Sequence, residues 1–264
     1  MARLDGKVAI VTGAARGTGA TTARLFASEG ARVVIADVNR EGGEAVAAEL
    51  GDQGAFVETD VGSQEAWGRC VAEAEKRFGP PNVLVNNAAI LHLAALEDTE
   101  LADLERVLRV NTVGPFLGIR AVIEPMKRAG GGSIVNVSSI DGLAAKNGVA
   151  AYATTKWGVR GLSKVAAVEL GKYGIRVNVV CPEAGSGDMI KPYLPPGIDF
   201  EKIDQGAHRM LAYQKERKNA DRLLDVARMI LFLASDESLS CTGADFAVDS
   251  GYTMGRILPG VPGS

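Results

Sequence analysis

Short β-branched runs alternate along this chain with longer stretches in which apolar residues return every three or four positions. The runs at 7–12 (KVAIVT), 32–36 (RVVIA), 55–59, 82–86 (NVLVN), 133–138, 175–181 (IRVNVVC) and 245–248 read as strands. The stretches at 20–29, 41–50, 64–78, 99–128, 150–173 and 223–235 read as helices. Strands alternating with helices throughout predict one parallel sheet with helices on both faces. Residues 183–220 break the rhythm with Pro192, Pro195, Pro196, mixed charge and scattered apolar residues such as Phe200 and Met210. A long insertion after the carboxyl end of a strand is where a substrate lid is expected. No internal repeat or linker divides the chain, so residues 1–264 are expected to form a single domain.

Composition narrows the function. Hydrophobic residues make up 47% of the chain and the 32 glycines are dispersed, a globular composition. With 29 basic and 32 acidic residues the net charge is −3, so no positive excess points to nucleic acid or an anionic membrane. No apolar run approaches the ~20 residues that span a bilayer. The N-terminus enters a strand pattern directly, without the signature of a signal peptide. Cys70, Cys181 and Cys241 are odd in number and widely spaced, which predicts free thiols and a cytoplasmic setting. Three separated cysteines and two separated histidines predict no zinc-type metal site. His92 reads as a solvated loop residue and His208 as an exposed one.

Two stretches carry the candidate chemistry. In the first, the strand at 7–12 runs into Gly13, Arg16, Gly17, Thr18 and Gly19, and then into a helix. Glycines there let the main chain approach a pyrophosphate, and the helix start offers N–H groups and a positive dipole end. Asp37 follows at the end of the next strand, placed to accept hydrogen bonds from an adenosine ribose. An aspartate there can instead cap the following helix. The second stretch is 138–156, SSIDGLAAKNGVAAYATTK. Tyr152 and Lys156 lie four apart, on one helical face. An ammonium group near a phenol favours the phenolate, and free tyrosine titrates near pH ~10. Ser139, at a strand end beside that helix, could hold a substrate oxygen while Tyr152 exchanges the proton. Asn111 sits on an otherwise apolar helix, where it can satisfy backbone groups at a kink, hold an ordered water, or do both.

Together, Thr12-Gly13-x-x-x-Gly17-x-Gly19, Asn86-Asn87-Ala88, Asn111, Ser139 and Tyr152-x-x-x-Lys156 resemble the short-chain dehydrogenase/reductase family over nearly the whole chain. YATTKWGVRGLSKVAAVELG is most similar to bacterial hydroxysteroid and secondary-alcohol dehydrogenases. The resemblance implies a Rossmann-like doubly wound fold, a homotetramer and a nicotinamide cofactor, with Asp37 favouring NAD. It also implies cofactor contacts from Asp60, Val61, Asn87, Ala88, Pro182 and Glu183 besides the glycine turn, Tyr152 and Lys156. The catalytic set it implies is Tyr152 as general acid/base, Ser139 orienting the substrate oxygen, Lys156 lowering the tyrosine pKa, and Asn111 holding a relay water. Two positions depart from the family pattern. Ala89 stands where a glycine is usual, and Pro182 is followed by Glu183 rather than glycine, with Ser186 as the nearest hydroxyl in place of the usual threonine.

The expected substrate is a small molecule, an uncharged bulky secondary alcohol or its ketone. Leu91, Leu93, Ile140, Leu143, Val149, Met189, Ile190, Tyr193 and Leu194 promise apolar walls, while Asp141 and Glu183 would repel an anion. An NADPH-dependent ketone or 3-ketoacyl reductase, and a nucleotide-sensing regulator without turnover, stand as the alternatives.

Overall fold

In the structure, a computed structural model describing residues 2–185, 187–194, 197, 211–213, 217–255 and 262, the strands form one sheet. The strands are β1 (Val8–Thr12), β2 (Arg32–Asp37), β3 (Gly54–Glu58), β4 (Val83–Asn86), β5 (Gly132–Val137), β6 (Ile175–Pro182) and β7 (Asp245–Val248). Their order is β3-β2-β1-β4-β5-β6-β7, and every pairing is parallel. β1 and β4 are therefore neighbours although β2 and β3 separate them in sequence. The chain reverses its direction of travel across the sheet there, which leaves a crevice at the carboxyl ends of these strands.

Burial on both faces explains the strand composition. Val8–Thr12 and Val83–Asn86 are buried along their whole length, as in a sheet covered by helices on each side. On one face, α1 (Gly17–Ser28) and the last helix, α7 (Asn219–Ala234), pack Phe26, Ile230 and Leu231 against Val11 and Val135. On the other face, α3 (Gln64–Phe78), α5 (Gly114–Arg128) and α6 (Ala150–Leu170) bring Trp67, Met126 and Leu170 onto Ile10 and Ile134. Each such side chain, fully buried, contributes about 1.5–3 kcal/mol. The doubly wound α/β sheet expected from the sequence is the fold observed.

Three boundaries differ from the sequence reading. The stretch at 99–128 is not one helix. α4 (Leu101–Leu108) gives way to a π-turn at Arg109–Val113 before α5 begins. The asparagine in that turn bonds to the loop after β4, which holds the widened turn open. α6 ends at Leu170 in a short 3₁₀ turn, closed by Gly174 in the left-handed conformation at φ 70°. α7 starts at Asn219, ahead of the predicted start at 223. Of the expected lid at 183–220, the structure describes short 3₁₀ turns at Gly187–Met189 and Lys191–Tyr193. Ser186, Pro195, Pro196, Phe200, His208 and Met210 lie outside the described residues. Among the described residues, no helix is long and apolar enough to cross a membrane.

Candidate active site

The glycine turn is shaped by contact as much as by backbone freedom. Gly13 has φ 63°, and a Cβ there would lie 2.8 Å from the Ala88 Cα. At Gly19 a Cβ would fall 2.2 Å from the Gly13 carbonyl oxygen, so only glycine lets the helix start close onto the turn. Thr12 locks this turn to the one after β4. Its hydroxyl accepts from Asn87 N at 2.9 Å and Ala88 N at 3.0 Å, and donates to Val85 O at 3.2 Å. The Asn87 side-chain amide donates in return to Thr12 O at 2.9 Å and Gly13 O at 3.2 Å. No side chain caps α1, and Gly17 and Thr18 at its start line the crevice.

Asp37 does not cap the following helix; Asn39 does, accepting from Gly42 N. The Asp37 carboxylate instead accepts from Ala15 N and Asn39 N, each at 2.9 Å. A carboxylate offers about four acceptor positions, so the side chain is fixed and keeps capacity toward the crevice. Asp60 is held similarly, accepting from Gly62 N at 2.8 Å.

Beyond β5, Ser139 adopts an extended backbone and caps a short 3₁₀ turn at 140–142, accepting from Asp141 N at 3.1 Å. α6 then brings Tyr152 and Lys156 back to Ser139. The Lys156 ammonium donates to Val137 O at 2.8 Å and lies 5.5 Å from the centre of the Tyr152 ring. Ser138 ties the strand end to the helix by donating to Lys156 O at 2.9 Å.

One cavity of about 640 Å³ joins these pieces. Gly13, Arg16, Gly17, Thr18, Asp37, Asp60, Val61, Asn87 and Ala88 line one end of it. Ser139, Tyr152, Lys156, Pro182 and Glu183 line the other. Gly19 and Asn111 sit behind the walls. Of the expected substrate walls, Leu91, Leu93, Ile140, Val149, Met189 and Ile190 face the cavity, whereas Leu143, Tyr193 and Leu194 do not. The Tyr193 hydroxyl donates to Leu91 O at 2.7 Å and so pins the described part of the lid region to the loop after β4.

Electrostatics differ from the simplest expectation. Burial pushes the Tyr152 phenol above its ordinary value, and the nearby Asp141 carboxylate pushes the same way, against the opposing effect of the Ser139 hydroxyl. Burial also lowers the Lys156 ammonium to about 8, against the charges of Cys181 and Asp141. Desolvation is the largest influence on both groups. Asn111 is held by direct bonds within the protein. Its carboxamide accepts from Ile90 N at 2.9 Å and donates to Ile90 O at 2.9 Å and Thr155 Oγ1 at 3.2 Å. Satisfying backbone groups at a kink is a role that the side chain performs.

A family model described as enoyl-(acyl carrier protein) reductase matches residues 13–253. The chain belongs to the short-chain dehydrogenase/reductase family. It is 45% identical over 253 residues to the 3-alpha-(or 20-beta)-hydroxysteroid dehydrogenase of Mycobacterium tuberculosis, covering 96% of this chain and 92% of the relative. It is 41% identical over 267 residues to the trans-4-hydroxycyclohexanecarboxylate dehydrogenase of Sinomonas cyclohexanicum, covering 97% and 96%. It is 38% identical over 253 residues to the 3-beta-hydroxysteroid dehydrogenase of Comamonas testosteroni, covering 94% and 96%. This short-chain dehydrogenase/reductase is an alcohol dehydrogenase acting on CH–OH groups, in a family that uses a nicotinamide nucleotide.

Several partners at this site escape a linear reading. Glu183, which replaces the usual glycine, pairs at 3.2 Å with Arg222 at the start of α7, and both are buried at the side chain. Asp141 pairs at 3.1 Å with Lys146. His92 is not solvated: its side chain is 13% exposed, with Nδ1 3.6 Å from Asp103. Only Lys146, close to Asp141 along the chain, is within reach of a local pattern.

Proposed function

We propose that this enzyme interconverts an uncharged, bulky secondary alcohol, cyclic or hydroxysteroid-like, and its ketone, using NAD, with Tyr152 as general acid/base. The observation that carries the reading is the continuity of one cavity from the glycine turn and Asp37 to the Ser139–Tyr152–Lys156 group.

The residues at the first end fit a dinucleotide. The uncapped start of α1 and the backbone of Gly13 and Gly17 suit a pyrophosphate. Arg16 and Thr18 would flank it, Asp37 would suit the adenosine ribose, and Asp60, Val61, Asn87 and Ala88 would hold the adenosine half. Pro182 and Glu183 border the nicotinamide end. When bound, the cofactor takes up or supplies the hydride at carbon. Ser139 holds the substrate oxygen, Tyr152 takes the hydroxyl proton in oxidation or returns it in reduction, and Lys156 binds the nicotinamide ribose. The side chain of Asn111 supports this group from behind by fixing Ile90 and Thr155.

The expected repulsion of anions needs revision, because Asp141 and Glu183 each have a cationic partner. The apolar walls remain the stronger argument, since such pockets bury apolar ligands and orient them with few polar groups. Relatives named for hydroxysteroids support a bulky ring, while the relative named for a hydroxycyclohexanecarboxylate makes the acid a fair competitor in the test. Measured kcat/KM should favour a steroid alcohol or cycloalkanol over a hydroxy acid of similar size. A clear preference for the acid would overturn the substrate assignment. In the same assay NAD should exceed NADP by at least about tenfold, because a 2′-phosphate beside Asp37 meets like charge. Asp37→Ser should narrow that gap, and equal efficiency in the unmodified enzyme would refute NAD preference. An NADPH-dependent reductase is disfavoured on the same ground.

The enzyme is proposed to act in the cytoplasm as a homotetramer. Phe116 on α5 and Trp157, Val165 and Val168 on α6 are exposed by 44–84%. Large apolar side chains grouped on neighbouring helices suit a partner subunit. Light scattering at micromolar concentration should give an oligomer, and a clean monomer would contradict it.

A further inference from the structure

Asp141 is a carboxylate placed where the chemistry is most sensitive to charge. It is 6% exposed, lines the catalytic end of the cavity, and sits in the 3₁₀ turn that Ser139 caps. One oxygen, Oδ2, lies 3.5 Å from Ser139 Oγ, and the other, Oδ1, lies 3.1 Å from the Lys146 ammonium. Lys146 lines the same cavity, yet its side chain is 47% exposed. A buried anion that lines the same cavity as a proton-exchanging phenol is thus balanced by a counter-ion that reaches in from solvent. Buried charges act over short distances with little screening, whereas an exposed partner is screened and easily displaced.

We propose that Asp141 and Lys146 form a positioning pair that sets the proton affinity of Tyr152, Asp141 holding it up and Lys146 tempering that effect. The inference rests on the assignment of Tyr152 as the general acid/base. It separates two roles that one lysine would otherwise carry, because Lys156 donates to Val137 O and is assigned to the nicotinamide ribose. The direction agrees with the upward push that Asp141 exerts on the phenol.

The other charged and titratable groups around Tyr152 stay fixed in this scheme. Lys156 lies on α6 itself. From β6, Cys181 acts on Lys156, and Glu183 at the strand's end is paired with Arg222 of α7. From the loop after β4, His92 turns toward Asp103 of α4. Tyr252 lines the cavity from the chain beyond β7, and Arg16, Asp37 and Asp60 lie at its dinucleotide end.

The experiment is the pH profile of kcat/KM for alcohol oxidation with saturating NAD, in the full-length enzyme. Oxidation requires Tyr152 to accept a proton, so activity rises with pH through its titration. In Asp141→Asn the midpoint should move to lower pH by about one unit, because a like charge beside the phenolate is gone. In Lys146→Gln it should move the opposite way, to higher pH, because Asp141 is left unbalanced. A purely structural role would lower activity in both variants without shifts of opposite sign. Midpoints that stay in place, or move together, overturn the proposal. Should Asp141→Asn fail to fold, the half-exposed Lys146→Gln decides alone: an upward shift supports the pair and an unmoved profile refutes it. If Tyr152→Phe abolishes turnover while both profiles stay unmoved, the pair fails and the general acid/base assignment stands. If Tyr152→Phe keeps normal turnover, that assignment fails first.

Discussion

Tyr152→Phe should lower turnover by about 10²–10⁴-fold, the range expected when a general acid/base is removed. The substitution deletes one hydroxyl and leaves the ring that packs over Lys156 in place. Tyr152 is 8% exposed and lines the cavity at its catalytic end. Its neighbours are poor substitutes. Ser139 is an alcohol engaged with Asp141 N, and Lys156 donates to Val137 O. Affinity for NAD should change little, because the dinucleotide end of the cavity, from the glycine turn to Asp60, is untouched. Steady-state turnover and cofactor titration on the same preparation separate the two. Near-normal turnover in Tyr152→Phe would sink the assignment, and a large loss of NAD affinity would show the ring to be a cofactor contact first. The pH behaviour has a defined sign. Burial raises the phenol, so oxidation should strengthen as pH rises, while reduction, which needs the protonated phenol, should persist to higher pH.

The features legible in the sequence are those whose spacing is local. Tyr152 and Lys156 are one helical turn apart, so their juxtaposition follows from the helix alone. Gly13, Gly17 and Gly19 likewise mark a strand-turn-helix transition that can be read along the chain. The contact that demands a glycine at position 19, its closeness to the Gly13 carbonyl, emerges only in the folded turn. The alternation of strands and helices predicts the layer architecture, because a sheet buried on both faces needs apolar runs separated by amphipathic helices. Long-range pairing is what escapes. Nothing near Glu183 announces Arg222, and nothing near His92 announces Asp103; each pair forms because the fold brings separate elements together. The pKa shifts are hidden for a related reason. Proximity of Lys156 to Tyr152 follows from spacing, but the desolvation of both groups depends on how the whole cavity closes.

Asn111→Ala should cost about 3 kcal/mol of stability, the largest loss expected from any single polar substitution near the site. The carboxamide satisfies both the N–H and the carbonyl of Ile90 and donates a third bond to Thr155. Asn111 is 1% exposed, so its removal leaves the N–H and carbonyl of Ile90 unpaired in a closed space, while the Thr155 hydroxyl keeps its bond to Tyr152 O. Each unsatisfied buried group costs about 1–3 kcal/mol, and partial access of water to the half-buried Ile90 keeps the sum near the lower end. For a chain of this size each kcal/mol corresponds to roughly 2–4 °C, so Tm should fall by about 6–12 °C. Thr155→Val provides the internal comparison. It removes one bond from Asn111 and the one that Thr155 donates to Tyr152 O at 2.6 Å, but leaves Ile90 fully paired. Its loss should therefore be smaller, about 1 kcal/mol. Turnover in Asn111→Ala should also drop, because Ile90 lines the cavity and Thr155 precedes Lys156, so the walls and the ammonium lose their common brace. Thermal unfolding of both variants decides the matter. A Tm for Asn111→Ala within about 2 °C of the unmodified protein, or a larger fall in Thr155→Val, would mean that the π-turn holds its shape without the asparagine.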